Sequence, residues 1–360
     1  MGKGLVRVAI LSAFVGATVL CLISASSTNV SLLSRFSFDD DEFQAQAKKH
    51  KSKPTNQEAG SNSTGLANLN VNQSAIPSPK LNNTKVVMIG FDDSYKSQFL
   101  YAKPILDRYG FKASFFEVCT WVGKTSARQT WQDVAALQRD GMDIESHTMT
   151  HAHLPDLLSS TDRLDYEIGG SKQCLANHGV NATIFGYPLN LGSDNPKIVN
   201  VVAKYYDLAR SGSAPLMFLD CKGYKKQPQN DCRTYTSDGK LTLVNRYNIK
   251  SDSFRHIYPT KNLSPSQEYQ IFVERMNSQI PYNTNGKIRA IPIITYHNLT
   301  NSIKDYNSLG STITVGLFAQ QMKYLHDNGF RVLLLNQLGF DPANNLFYIK
   351  NSQETLIPLK

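Results

Sequence analysis

Residues Val86–Phe99 read VVMIGFDDSYKSQF, and this stretch decides the fold. It opens with an unbroken apolar run, as expected of a parallel strand covered on both faces. The run ends at Phe91, and Asp92 and Asp93 follow side by side. Adjacent carboxylates at the end of a buried strand repel each other and are costly to desolvate, so they require a partner. Ser97–Tyr109 then has the pattern of a helix stopped by Gly110.

Working outward, the same unit recurs. Strands are expected at Lys112–Val118, Met142–Glu145, Thr183–Tyr187, Asp207–Arg210, Leu241–Ile249, Ala290–Tyr296 and Val332–Leu335. Helices are expected at Thr130–Asp140, Thr161–His178 and Leu317–Asn328. Two more begin at Asn195-Pro196 and Ser264-Pro265, where a capping residue precedes a proline. Apolar strands alternating with helices predict an α/β protein with a parallel sheet covered on its outside. About seven such units in roughly 260 residues fit a closed or nearly closed (β/α)7-8 barrel better than a small open sheet. In such barrels the chemistry gathers at the carboxyl ends of the strands.

The rest of the chain divides by composition. Residues 1–26 carry a basic start, an uncharged apolar run over Val8–Ile23 and small residues at Ser24–Ser26, the layout of a signal peptide or an N-terminal membrane anchor. Residues 27–84 form a polar linker, poor in aromatics and unable to bury a core. The folded domain is expected over 85–345, with a tail at 346–360. The formal charge of +9 is spread along the chain without a nucleic-acid motif, so nucleic acid is not an expected partner. No interface signal speaks to oligomeric state.

An exported chain favours disulfides. Cys221 and Cys232 bracket a polar loop and are expected to pair, leaving Cys119 with Cys174. Sequons at Asn62, Asn72, Asn82, Asn181, Asn262 and Asn298 are candidate glycan sites.

The strand ends carry the chemistry. After the strand at Met142–Glu145 comes SHTMTHAH, placing His147 and His151 in H-x-x-x-H spacing. In a helix, residues four apart share a face and can bind one metal. After the strand at Ala290–Tyr296 stands His297. A metal accounts for the paired acids: one Asp joins the two histidines as ligand, and the cation's field keeps the other ionised. Three protein ligands leave a position for water, the plan of a hydrolytic zinc site. The bland alternatives are a turn-capping Asp pair, a chance His-rich segment and a rim histidine.

IGFDDSY (Ile89–Tyr95), SHTMTH (Ser146–His151), FGYP (Phe185–Pro188) and IITYH (Ile293–His297) resemble, in order, the motifs of carbohydrate esterase family 4, the polysaccharide deacetylases. The resemblance implies a distorted barrel and metal-dependent deacetylation of an acetylated polysaccharide or oligosaccharide, with Zn²⁺ or another divalent metal. It implies Asp92 as catalytic base, Asp93, His147 and His151 as metal ligands, Tyr187 as an oxyanion donor through its backbone N–H, and His297 as general acid. The family's third motif usually carries an Arg that pairs with the base; FGYP has none and is similar to the exopolysaccharide deacetylase subgroup. Arg246 and Arg210 are the candidates to replace it. Alternatives are a non-catalytic carbohydrate-binding relative, an O-acetyl esterase and a two-His-one-carboxylate iron oxygenase. The aromatics Tyr95, Trp121 and Tyr296 are candidates to stack on sugar, with ordinary packing the better reading for Trp121.

Overall fold

A computed structural model describes residues 84–212, 214–219, 246–254, 263–308, 310–343 and 346–350. Among these residues, seven parallel strands form a barrel: β1 (Val86–Asp92), β2 (Ser114–Glu117), β3 (Asp143–Ser146), β4 (Ile184–Gly186), β5 (Leu208–Gly212), β6 (Ile249–Ser253) and β7 (Ile293–Tyr296). Each strand pairs with the next, and β1 pairs with β7 to close the ring. A further strand, β8 (Arg331–Leu333), pairs with Val86–Met88, below the point where β2 joins β1 at Gly90. The expected barrel is the observed one, with seven strands in the closed ring and β8 wedged at its foot.

The two faces of β1 separate cleanly, as the period of two requires. Val86 and Met88 pack with Phe116, Ile184, Leu208, Ile249 and Ile293 inside the barrel. Val87, Ile89 and Phe91 pack outward against Leu106, Val134, Phe272 and Phe318. The same alternation sends Asp92, at the carboxyl end of β1, and Arg210, two residues beyond Leu208, into the mouth of the barrel.

The outer layer holds α1 (Lys103–Arg108), α2 (Trp131–Arg139), α3 (Thr161–Asn177), α4 (Pro196–Tyr205), α5 (Pro265–Asn277) and α6 (Val315–Asp327). Their starts follow from sequence. Thr130 with Asp133, and Ser264 with Gln267, form reciprocal capping boxes, and Asn195 caps α4 ahead of Pro196. A π-helical turn, Gln98–Ala102, precedes α1 inside the segment read as one helix.

Three expectations are revised or set aside. The strand expected over Leu241–Ile249 is found at Ile249–Ser253; residues 241–245 lie outside the described residues. The tail expected after residue 345 begins with a strand, Leu346–Ile349, paired antiparallel with Leu338–Asp341, and Phe347 joins the cluster inside the barrel. The N-terminal segments through residue 83, and Cys221 and Cys232, lie outside the described residues. Cys119 and Cys174 form a disulfide, with Cα atoms 6.4 Å apart. No helix among the described residues is long and apolar enough to cross a membrane.

Candidate active site

Asp92 and Asp93 part company at the end of β1. Asp92 keeps the strand's inward direction and meets Arg210, whose Nη2 donates to its Oδ1 at 2.5 Å. The Arg210 guanidinium is fully buried, lies 4.3 Å over the Phe116 ring and donates a second bond to Ser251 Oγ at 3.1 Å. Asp93 has φ +74°, a left-handed backbone that turns the chain off the sheet line. Its carboxylate reaches the two histidines: Oδ1 stands 3.6 Å from His147 Nε2 and 3.2 Å from His151 Nε2.

His147 directly follows β3. Its Nδ1 donates to the Gly186 carbonyl at 2.8 Å, which fixes the tautomer and leaves Nε2 to face Asp93. Gly186 is required here by space. A Cβ at that position would lie 2.8 Å from Phe116, 2.9 Å from His147 Nδ1 and 3.1 Å from Arg210 Nη2. His151 is placed by turns: the H-x-x-x-H segment is not a helix, and Thr148 and His151 are left-handed at φ +70° and +64°. The Thr148 hydroxyl accepts from the His151 N–H at 2.9 Å. From α3, Glu167 accepts from the Thr150 N–H and hydroxyl at 2.9 and 2.7 Å. Cys119 N–H donates to the Thr148 carbonyl at 3.2 Å, and its disulfide to Cys174 ties this loop to α3.

The electrostatics suit a cation. Burial pushes the His147 imidazole down to about 4, against the opposing pull of the Asp92 carboxylate, so it is neutral at pH 7 and has a lone pair to give. Burial would raise the Asp93 acid, but the contact with His151 and the imidazoles of His297 and His147 outweigh it and hold the group well below the usual carboxylate range. Asp93 Oδ1 is buried and accepts no hydrogen bond, an expensive condition without a ligand. One ligand atom each from Asp93, His147 and His151 lies within 4.8 Å of the others. These residues fit a divalent cation with three protein ligands.

On the other side of the pair, His297 Nε2 stands 3.9 Å from Asp92 Oδ2. The backbone on both sides is pinned by Gln98, whose side-chain amide donates to the Asp92 carbonyl at 2.6 Å and to the His297 carbonyl at 3.0 Å. Of the two candidate arginines, Arg210 is the one beside Asp92. Arg246 lies against the rings of Tyr247 and Phe340 and lines a 240 Å³ cavity near the amino ends of β4 and β5, away from the acids. The Tyr187 N–H is also corrected: it donates to the Arg210 carbonyl at 3.0 Å within the sheet, so it is already engaged. Tyr296 is buried, with its hydroxyl bonded to Gln321, and offers no face to sugar. Trp121, read as packing, stacks on His151 with ring centroids 5.0 Å apart. Sequence reasoning missed Gln98 and Glu167; neither follows a recognisable spacing, although the π turn at Gln98 marks the kind of helix irregularity that often sits at functional sites.

Residues 80–206 match the family model described as polysaccharide deacetylase. That segment contains Asp92, Asp93, His147 and His151, while Arg210 and His297 come from beyond it. YxkH of Bacillus subtilis (strain 168), a candidate polysaccharide deacetylase, is 32% identical over 106 residues, which are 29% of this chain and 37% of that protein. A gellan lyase from Bacillus sp is 28% identical over 128 residues, 35% of this chain and 5% of that one. The chain thus spans well under half the length of the curated relatives it matches. Among solved structures, the family 4 carbohydrate esterase from Streptomyces lividans in complex with acetate is 16% identical, with 74% of this chain and 98% of that chain covered and a TM-score of 0.42. The Streptococcus pyogenes deacetylase PplD in complex with acetate is 25% identical, with 39% and 60% covered and a TM-score of 0.34. Residues 80–206 are thus similar to polysaccharide deacetylases, in agreement with the resemblance read from the motifs.

Proposed function

We propose that the chain is a metal-dependent hydrolase that removes N-acetyl groups from a polysaccharide outside the cytosol, giving a free amine and acetate. One observation carries the reading: a metal-ligand triad and a separately paired carboxylate converge on one barrel rim, with a histidine facing that carboxylate. Asp93, His147 and His151 would hold the ion, most simply Zn²⁺. A divalent cation in such a site supplies Lewis acidity toward a carbonyl oxygen and lowers the pKa of water.

The protein's own groups supply the proton transfers. Asp92, oriented by Arg210, accepts the proton of the attacking water. His297 gives a proton to the leaving nitrogen, which an amide requires because its anion is a very poor leaving group. That acid favours an amide over an ester as substrate. Export is supported by the apolar run at Val8–Ile23 and by the Cys119–Cys174 disulfide, which belongs to an oxidising compartment. The same run is the proposed membrane anchor if it is retained.

The decisive experiment is acetate release from N-acetylglucosamine oligomers by the metal-loaded protein, with and without a chelator. Release that stops with chelator and returns with Zn²⁺ is expected. No release from a broad panel of acetylated glycans would overturn the reading.

A further inference from the structure

The loop after β2 joins the two segments that carry the metal ligands. Its Val118 N–H donates to Ser94 Oγ at 2.9 Å, and its Gln129 N–H to the Ser94 carbonyl at 2.8 Å, next to Asp93. Its Cys119 and Thr120 N–H groups donate to the Thr148 and Met149 carbonyls, between His147 and His151. Two half-buried side chains of this loop then touch the ligands themselves. Arg128 Nη1 donates to the Asp93 carbonyl, and the same guanidinium lies 4.3 Å over Tyr95 and 4.1 Å over Trp121. Trp121 in turn stacks on the His151 ring at an interplanar angle of 24°. Tyr95 and Arg128 also form an antiparallel backbone bridge.

Asp93 and His151 are the two ligands with left-handed backbones, at φ +74° and +64°. A non-glycine backbone in that region is uncommon and persists where its surroundings hold it. His147 needs no such help, because its Nδ1 is anchored on Gly186. We propose that Arg128 and Trp121 are positioning residues that set the metal affinity of the site, Arg128 by fixing the Asp93 backbone and Trp121 by restraining the His151 ring. The inference rests on the reading of Asp93, His147 and His151 as the metal ligands.

The sign of one substitution separates this role from plain electrostatics. A guanidinium near a cation site repels the cation, so charge alone predicts tighter binding when Arg128 is removed. Positioning predicts weaker binding. Partners that orient ligands typically contribute on the order of 10–100-fold in metal affinity.

The test is titration of the metal-free full chain with Zn²⁺ by calorimetry and with Co²⁺ by its visible absorption, which reports ligand geometry. The wild type is expected to bind one ion. Arg128→Ala and Trp121→Ala are each expected to bind at least about 10-fold more weakly, with an altered Co²⁺ spectrum. Arg128→Lys keeps the charge but loses the planar fork, and is expected to stay weak. Trp121→Phe keeps a ring and is expected to recover most of the affinity. Thermal unfolding of each metal-free variant checks folding, and the Lys and Phe variants carry the test where an Ala variant unfolds. Equal or tighter binding in the folded Arg128 variants, beside a wild type that binds, overturns the inference and leaves the metal site standing. A wild type that binds no ion overturns both.

Discussion

Two pairs of acids stand in the same barrel, Asp92 with the half-buried Asp93 at the rim and the buried Asp143 and Glu145 lower along β3, and their surroundings differ. On β3, Asp143 and Glu145 are consumed by the fold. Asp143 accepts from Ser114 Oγ at 2.7 Å and from the Asn336 amide at 2.8 Å. Glu145 Oε2 accepts from the Thr183 and Ile184 N–H groups, both at 2.7 Å. At the rim, Asp92 has one strong partner in Arg210, and Asp93 Oδ1 has no hydrogen bond but two imidazole nitrogens within 3.6 Å. The β3 pair is held by being raised toward the neutral form; the rim holds Asp93 as an anion. Burial alone therefore does not mark a functional carboxylate. The mark is an acid kept charged with an unfilled acceptor.

The comparison breaks first at Asp93. Asp93→Asn removes the charge while keeping the size, and is expected to lower metal affinity and to cut acetate release on the order of 10³-fold. Metal analysis of the dialysed variant, run beside the rate assay, checks both. Retained zinc with a wild-type rate would remove Asp93 from the site. Gly186→Ala comes next. The added methyl would press on Phe116, His147 and Arg210 together. It is expected to cost about 1–3 kcal/mol of stability by urea titration and to reduce the rate through displacement of His147.

The rim was legible in part. The alternation of apolar strands and helices predicted the barrel, and the ends of β1, β3 and β7 supplied Asp92, Asp93, His147 and His151, and His297. What escaped was backbone conformation. H-x-x-x-H spacing suggests a helix face, yet the histidines meet through left-handed turns at Thr148 and His151. A side-chain pattern cannot report φ, least of all for a β-branched threonine, which ordinarily avoids that region. The choice between Arg210 and Arg246 depended on which strand face each occupied, and the β6 boundary was misplaced. Tyr187 failed for a related reason: its N–H is taken by ladder pairing with β5, which residue identity does not reveal.

Arg210 tests whether the rim's other acid depends on pairing. It is fully buried, and its removal would leave Asp92 without its cation. Arg210→Met is expected to cost roughly 3–5 kcal/mol at neutral pH, because breaking a buried pair strands the remaining charge. The rate is expected to fall about 100-fold while zinc content stays at the wild-type level. Loss of zinc together with activity would show instead that Arg210 supports the metal side of the pair.

The smallest effect is expected at the β3 pair, and it is a matter of pH. Burial and the adjacent Asp143 carboxylate push Glu145 well above its usual value of 4.5. A folded state that keeps a proton which the unfolded chain releases loses stability as pH rises above that usual value. Glu145→Gln mimics the protonated acid at every pH. As pH rises above 4.5 its stability is therefore expected to decline less steeply than that of the wild type. Urea midpoints measured across that rise test the slope, and parallel curves would reject the account. Acetate release by this variant is expected to stay within about threefold of wild type, because the Glu145 oxygens are spent on Thr183 and Ile184 and a Gln side chain keeps the same size. A large loss of activity here, matching that of Asp93→Asn, would erase the distinction between an acid that builds the barrel and one that serves its mouth.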